Sequence, residues 1–380
     1  MLPRTLFTED IHDMYRKTVR SFMEDHVAPH HASWEDAGVV PRELWLHAGE
    51  VGILCPDAPE AYGGGGGDFR LNVIVDEELM RIGATGPGFP LHNDITLPYL
   101  LHLGTTEQKQ RWVPKMVSGE AITAIAMSEP DAGSDLQRIR STALKDGDDY
   151  ILNGSKTFIT NGQLCDLVIV VAKTDPDAGA HGTSLFLVEA DAPGFQRGRN
   201  LKKVGLRAQD TSELFFEDVR LPRSALIGEE NHGFFYLMQM LAQERLSVGV
   251  MGIAAAEAAL RWTVDYCKER EAFGRPIARF QNTRFQLAEI ATTVQVGRAF
   301  IDACIAAHLD GKLDIPTAAM AKLWGSEKQF DVMDGCMQLF GGYGYMLEYP
   351  IARAWADARV QRIYAGTSEI MKELISRSVI

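Results

Sequence analysis

From Glu120 to Glu230 the chain reads as a series of short runs: AITAIAMS (121–128), YILNGSKTFIT (150–160), DLVIVVAK (166–173), TSLFLVEA (183–190) and SELFFEDVRL (212–221). They are rich in Val, Ile, Phe and Thr, and Gly, Asp, Pro and Asn punctuate them. Such side chains fit a pleated, half-buried surface, and the punctuating residues turn the chain. This spacing predicts a small β-sandwich or barrel. On both sides of it the pattern is helical. Upstream, Ile11, Tyr15, Val19 and Phe22 recur at helical spacing, and residues 8–119 read mostly helical. The run Gly63–Gly67 in that region is a loop; no Gly-Lys-Ser/Thr follows it, so it is not a P-loop. Downstream, helices are expected from Phe234 to about Arg270, from Gln281 to about Leu309, from Thr317 to Phe340, and after Tyr349. Four helices with short connections suggest an antiparallel bundle. The expected fold is therefore α+β and multidomain: an N-terminal helical domain (1–119), a middle β-barrel or sandwich domain (120–232) and a C-terminal four-helix bundle (233–380).

A chain of 380 residues exceeds one ordinary core, which fits this division. The formal net charge of −13 argues against nucleic-acid binding, which needs clustered Lys and Arg to displace counterions. It leaves room for an anionic ligand held by a few placed donors. The five cysteines are scattered and odd in number, with no CxxC pair. Neither a disulfide framework nor a zinc site is expected, and a reducing compartment such as the cytoplasm is. The start, MLPRTLFTEDIHDMYRK, has no apolar core of a secretory signal. The longest apolar runs, such as Leu167–Ala172, are too short to span a bilayer, so no membrane partner is expected.

Several segments carry residues suited to chemistry. Ser128-Glu-Pro-Asp-Ala-Gly-Ser-Asp135 ends a strand and enters a turn, where small residues let backbone N–H groups approach a ligand and Ser128 and Ser134 add hydroxyls. The same composition makes an ordinary turn. In Lys156-Thr-Phe-Ile-Thr-Asn-Gly162, alternation puts Phe158 and Thr160 on one strand face. That pairing suits a flat redox-active ring, or equally a core Phe beside a strand-favouring Thr. Arg270-Glu-Ala-Phe-Gly-Arg275 is expected to break a helix at Gly274 and Pro276, with Arg270 free to clamp a phosphate or simply to end a helix in solvent. Gln338-Leu-Phe-Gly-Gly-Tyr-Gly344 reads as a helix end capped by glycine. Ala365-Gly-Thr-Ser-Glu369 opens the last helix with Thr367 or Ser368 as N-cap, and such a terminus offers N–H groups to anions.

Glu244 is the most informative single residue. Leu237, Leu241, Glu244, Val248 and Met251 follow 4, 3, 4, 3 spacing and form one helix face that is otherwise apolar. A carboxylate there is costly unless it is neutralised, paired or used. Its i−4 and i+4 neighbours are Met240 and Val248, so no ion pair within the helix accounts for it. It is either a general base with a raised pKa or one end of a tertiary salt bridge.

Taken together, SEPDAGSD (128–135), KTFITNG (156–162), REAFG (270–274), QLFGGYGY (338–345) and YAGTSEI (364–370) resemble the motifs of the acyl-CoA dehydrogenase family, in the family's order and over nearly the whole chain. YLMQMLAQERL (236–246), AHGTSLFLVE (180–189) and the stretch from Glu348 to Ile375 resemble its long-chain subgroup most. The resemblance implies FAD-dependent α,β-dehydrogenation of acyl-CoA thioesters of medium or long straight chain, with FAD between the β domain and the bundle. It implies a homotetramer in which a neighbouring subunit also touches each FAD, and an electron-transfer flavoprotein as electron acceptor. For FAD it assigns Ile125, Met127, Ser128, Ser134, Phe158 and Thr160, with Thr160 near the redox-active nitrogen. It adds Arg270, Phe273, Gln281, Gln338, Gly341, Gly342, Thr367, Ser368 and Glu369. For the acyl-CoA it assigns Ser134, Ala180, His181, Phe235, Ala242, Gln243, Arg245 and Gly366; His181 could otherwise be an ordinary loop histidine.

One departure from the commonest family pattern bears on the mechanism. Most subgroups carry the catalytic Glu immediately before Gly-Thr-Ser, where this chain has Ala365. The long-chain and isovaleryl subgroups place it where Glu244 stands. The resemblance and the apolar-face argument thus reach the same base separately. Ala365 would still polarise the thioester carbonyl through its backbone N–H, with a flavin ribityl hydroxyl as second donor. An isovaleryl-type dehydrogenase, a flavin oxidase or monooxygenase on this scaffold, and a catalytically silent CoA-thioester-binding protein are the alternative readings.

Overall fold

A computed structural model describes residues 3–380. Six helices form the N-terminal region: α1 (Asp10–Phe22), α2 (His31–Ala37), α3 (Arg42–Glu50), α4 (Phe69–Arg81), α5 (Leu97–Leu103) and α6 (Thr106–Ser118). A π-helical stretch, Leu91–Thr96, leads into α5. Sequence signals explain several of these ends. Thr105 and Gln108 make a reciprocal capping box at the start of α6, and Asp68 caps α4 by accepting from the Arg70 N–H.

The middle region is one mixed sheet of eight strands: β1 (Thr123–Ala126), β2 (Thr142–Asp146), β3 (Asp149–Thr160), β4 (Leu167–Lys173), β5 (Thr183–Glu189), β6 (Phe195–Asn200), β7 (Thr211–Leu221) and β8 (Leu226–Ile227). The order is β6-β7-β3-β2-β4-β5-β8, with β1 parallel to β4. Alternate residues of β4 enter different cores. Val168 and Val170 pack with Tyr150, Phe186 and Phe216, whereas Leu167, Ile169 and Val171 pack with Tyr99, Trp112 and Leu237 from the helices. The sheet curls enough to bring Tyr150 of β3 and Phe186 of β5 within 4.9 Å, ring centre to ring centre. Burial on both faces is why β4 is apolar from Leu167 through Ala172.

The C-terminal region is built on α7 (Gly233–Glu269), α8 (Gln281–Leu309), α9 (Ile315–Phe340), α10 (Pro350–Ala358) and α11 (Ser368–Val379). The expected helix break falls earlier than the glycine. α7 stops at Glu269, Arg270 is already extended, and β9 (Glu271–Ala272) pairs with β10 (Arg275–Pro276) in a hairpin. Phe273 and Gly274 supply the two positive φ values, 52° and 76°, that such a two-residue turn requires. The segment after Tyr349 is two helices rather than one, separated by a tight turn at Arg359–Arg362 and the stretch 363–367. By length and composition α8 would suffice to cross a bilayer; here it packs against α7 and α9. All five cysteines are free and buried.

At one point α7 and α9 meet glycine on glycine. A Cβ on Gly325 of α9 would lie 2.9 Å from the Gly249 Cα of α7, and one on Gly249 would lie 2.9 Å from the Ala321 carbonyl oxygen. These neighbours are backbone, so a side chain must push the helices apart. Gly325→Val is therefore expected to destabilise the protein by about 1–3 kcal/mol, read as a lower urea midpoint at unchanged slope. Wild-type stability in that variant would show that the two helices do not meet so closely.

Candidate active site

A cavity of 460 Å³ lies where α4, the π-helical stretch, α7, α9, the sheet and the start of α11 converge. Its walls include Leu91, Ile95, Ile125, Met238, Leu241 and Val248. Glu244 reaches it from α7. The helix face read from the sequence is real: Leu237, Leu241, Glu244 and Val248 are buried, and Met251 is half-buried and lines the cavity.

No ion pair to Glu244 forms among the described residues, and its Oε2 is buried without a hydrogen-bond partner. The tertiary salt bridge considered from sequence is thus absent. Burial pushes the carboxyl up to about 7, against the opposing pull of Arg245 and Lys322. Arg245 also lines the cavity and is buried with Nε unpartnered; desolvation lowers its pKa.

Ala365 and Gly366, with φ of 52° and 90°, line the same cavity. A positive φ is uncommon for alanine and costs on the order of 1 kcal/mol. No hydrogen bond within the described protein takes up the Ala365 N–H. Thr367, not Ser368, caps α11: its side chain accepts from the Ile370 N–H, and the Ser368 hydroxyl donates to Glu327 instead.

On the sheet side, Ile125, Met127, Ser128, Ser134, Phe158 and Thr160 all line the cavity. Simple alternation does not describe how Phe158 gets there. The β3–β7 register slips between Lys156 and Ile159, and Phe158 sits at φ 61° with its side chain largely exposed (69%). An aromatic residue in that conformation needs support. Next to it, fully buried Lys156 donates to the Met127 carbonyl (3.0 Å) and pairs with Glu129 (2.8 Å), tying the two motif segments together.

Family models described as the N-terminal, middle and C-terminal domains of acyl-CoA dehydrogenase match residues 231–380 for the last, 9–120 for the first and 124–219 between them. The chain belongs to the acyl-CoA dehydrogenase family. It is 54% identical over 379 residues to the mitochondrial long-chain specific acyl-CoA dehydrogenase of Sus scrofa, covering 99% of this chain and 88% of the relative. An acyl-CoA dehydrogenase structure from Geobacillus kaustophilus matches with a TM-score of 0.96 at 50% identity, covering 98% of this chain and 99% of that one. A glutaryl-CoA dehydrogenase from Mycobacterium smegmatis in complex with FADH2 matches at 0.92 and 29% identity, covering 98% and 95%.

Members of the acyl-CoA dehydrogenase family use FAD, and the residues present fit it. Gln329 and Gln361 line the cavity with buried, unpartnered Oε1 atoms that can accept from a polar ring system. A second, shallower cavity is lined by Arg270, Gln338, Gly341 and Gly342. A Cβ on either glycine would meet nothing within 4 Å, so bare backbone faces open space there. Arg270 lies over the Tyr343 ring at 5.5 Å with its guanidinium in no ion pair among the described residues, which suits a phosphate partner.

The other residues that the family resemblance singles out are scattered, and none of them lines either cavity. Phe273 projects from the hairpin at 96% exposure, Gln281 is exposed at the start of α8, and Glu369 is exposed on α11. His181 is exposed, with Ala180 half-buried, in the short turn Pro176–Gly182; Phe235 is exposed and Ala242 half-buried on α7. Gln243 is committed elsewhere, donating to the Asp94 carbonyl at 2.9 Å. Sequence reading missed Ser247, Gln329, Gln361 and Lys322. Lys322 had a signal, a lone cation in AAMAKLWGS (318–326). Ser247 and Gln361 had none beyond their neighbours.

The raised Glu244 pKa has a stability consequence. The folded protein holds the proton that the unfolded chain releases near the ordinary value of 4.5, so stability falls as pH rises from about 4.5 to about 7 and the cost is complete above that. Glu244→Gln is expected to gain stability over wild type at pH 8 but little at pH 5, measured by urea unfolding. An equal gain at both would mean that Glu244 is not held protonated.

Proposed function

We propose that this acyl-CoA dehydrogenase oxidises the Cα–Cβ bond of medium- or long-chain straight acyl-CoA thioesters to trans-2-enoyl-CoA, with Glu244 as the proton-abstracting base. The observation that carries this reading is the unpartnered Glu244 carboxyl in an apolar cavity that Ala365, with its free backbone N–H, also lines. The likeness to long-chain specific relatives supports the chain length, as does a wall of Leu91, Ile95, Met238, Leu241 and Val248.

The α proton of a thioester is weakly acidic, so negative charge developing on the carbonyl oxygen must be stabilised. The Ala365 N–H donates to that oxygen; a backbone donor survives the loss of the usual Glu side chain. Glu244 takes the proton at its buried carboxylate, whose poor solvation makes it a stronger base than an exposed glutamate. Arg245 and Lys322 keep it ionised often enough to act near neutral pH. FAD, when bound, would supply the acceptor for the hydride leaving the β carbon. Phe158 and Thr160 would flank the flavin ring, and Arg270, Gln338, Gly341 and Gly342 would hold its distal part. We assign a homotetramer and an electron-transfer flavoprotein as electron acceptor on the family likeness, and a cytoplasmic location on the free cysteines.

The decisive experiment is anaerobic flavin bleaching with straight and branched acyl-CoAs of graded length. Higher kcat/KM for medium or long straight chains than for isovaleryl-CoA is expected; the reverse order transfers the protein to the isovaleryl reading, and rapid oxygen consumption without an acceptor protein to an oxidase. Glu244→Gln should still bind acyl-CoA yet reduce its flavin about 100-fold more slowly or worse. Near-normal reduction by that variant would remove Glu244 as the base. Because the base works deprotonated, kcat/KM of the wild type should rise with pH through about 7. A flat profile from acid through alkaline pH would contradict the assignment.

A further inference from the structure

Lys322 is a fully buried lysine on α9 whose Nζ donates to the Gly366 carbonyl at 2.6 Å. That carbonyl belongs to the positive-φ turn of Ala365 and Gly366, which lies outside any helix. The turn is held from α9 a second time, by Glu327, which accepts from the Ser368 hydroxyl at 2.6 Å and pairs with Arg362 at 2.7 Å. Lys322 therefore occupies the junction between the helix that packs on α7 and the turn that lines the same cavity as Glu244.

We propose that Lys322 is a positioning residue: its ammonium fixes the Ala365–Gly366 turn so that the Ala365 N–H meets the reacting carbonyl, and its charge favours the ionised form of Glu244. The inference rests on the reading of Glu244 as base and Ala365 as donor. A neutral side chain would have packed this alanine-rich helix surface at lower desolvation cost, so the buried cation needs a reason. The hydrogen bond to a backbone carbonyl satisfies one of its three donors and leaves its charge to act on the cavity. The groups electrostatically coupled to Lys322 are Glu244 and Arg245 from α7, Glu327 from its own helix and Glu369 from α11. Those coupled to Glu244 are Arg245, Lys322, Tyr99 of α5 and Tyr364 beside the turn. Burial brings the Lys322 ammonium down to about 8, so it is still charged at neutral pH.

Two substitutions separate the two roles in the FAD-loaded enzyme. Lys322→Met loses both hydrogen bond and charge; Lys322→Gln keeps a donor but is neutral. Hydrogen exchange of the peptide spanning Ile363 to Met371, read without substrate, should quicken at least tenfold in the Met variant and stay near wild type in the Gln variant. The pH profile of flavin reduction should move to higher pH in both; in the Gln variant a loss of about tenfold at pH 7 recovers by pH 9, whereas in the Met variant a loss persists at pH 9 because the carbonyl donor is no longer held in place. Wild-type exchange in Lys322→Met, or an unshifted pH profile in Lys322→Gln, would overturn the proposal even if the melting temperature falls. Where the Met variant does not fold, the Gln profile alone decides. A failure of the base assignment appears separately, as near-normal reduction by Glu244→Gln, and leaves the exchange comparison intact.

Discussion

A carboxyl group without a partner, set among leucines and valines on a helix of 37 residues, is the constraint around which this molecule is arranged. Such a group holds its position only if the helix that carries it cannot shift or rotate to let water in. The α7 turn around Glu244 is accordingly tied on several sides. Gln243 donates to the Asp94 carbonyl. Ser247 lies within hydrogen-bond distance of the carboxyls of Asp94 and Asp76, at 2.6 and 3.1 Å. Five residues beyond Glu244, Gly249 meets Gly325 with no side chain between the backbones. The irregular π-helical stretch that supplies Asp94 also supplies Leu91 and Ile95 to the cavity wall, so one departure from regular helix serves both packing and site.

The sheet contributes the other half of the cavity by a comparable device. Its face toward the helices is continuous and apolar, which fixes its orientation against α5, α6 and α7. At the edge of that face the ladder is interrupted at Phe158, and the interruption exposes an aromatic ring that a regular strand would have alternated into or out of a core. The buried Lys156–Glu129 pair beside it is costly to desolvate, a cost offset by ordering two loops at once. Glu129 accepts from the backbone N–H groups of Arg140 and Ser141 as well as from Lys156.

Charge is distributed unevenly in this acidic chain. Arg245 and Lys322 are both buried beside the cavity, and Arg270 stands without an acidic partner among the described residues at the second one. A few placed cations, rather than a basic surface, are what an anionic thioester and a dinucleotide require.

Much of this is legible in the sequence, because it depends on periodicity and composition. Helical spacing marks the two helical blocks; Val- and Ile-rich runs mark the strands; and the same 4, 3, 4, 3 spacing that defines a buried helix face exposes Glu244 as an exception on it. The order of the five motifs carries the family. Other features lie beyond local pattern. A hairpin at 271–276 and a bulge at Phe158 are choices of backbone dihedral made by neighbours in space, and Gly274 alone does not announce which residue before it leaves the helix. Thr367 and Ser368 are equivalent N-cap candidates until Glu327 on another helix claims one of them. Phe273 and His181 match motifs, and Gln281 follows from the family resemblance, yet within one chain they face solvent, because a motif records residue type and not what covers it. The hydrogen bond between Lys322 and Gly366 joins residues 44 positions apart. Only the packing of α9 against the turn before α11 brings them together, and no spacing rule along the chain encodes that approach.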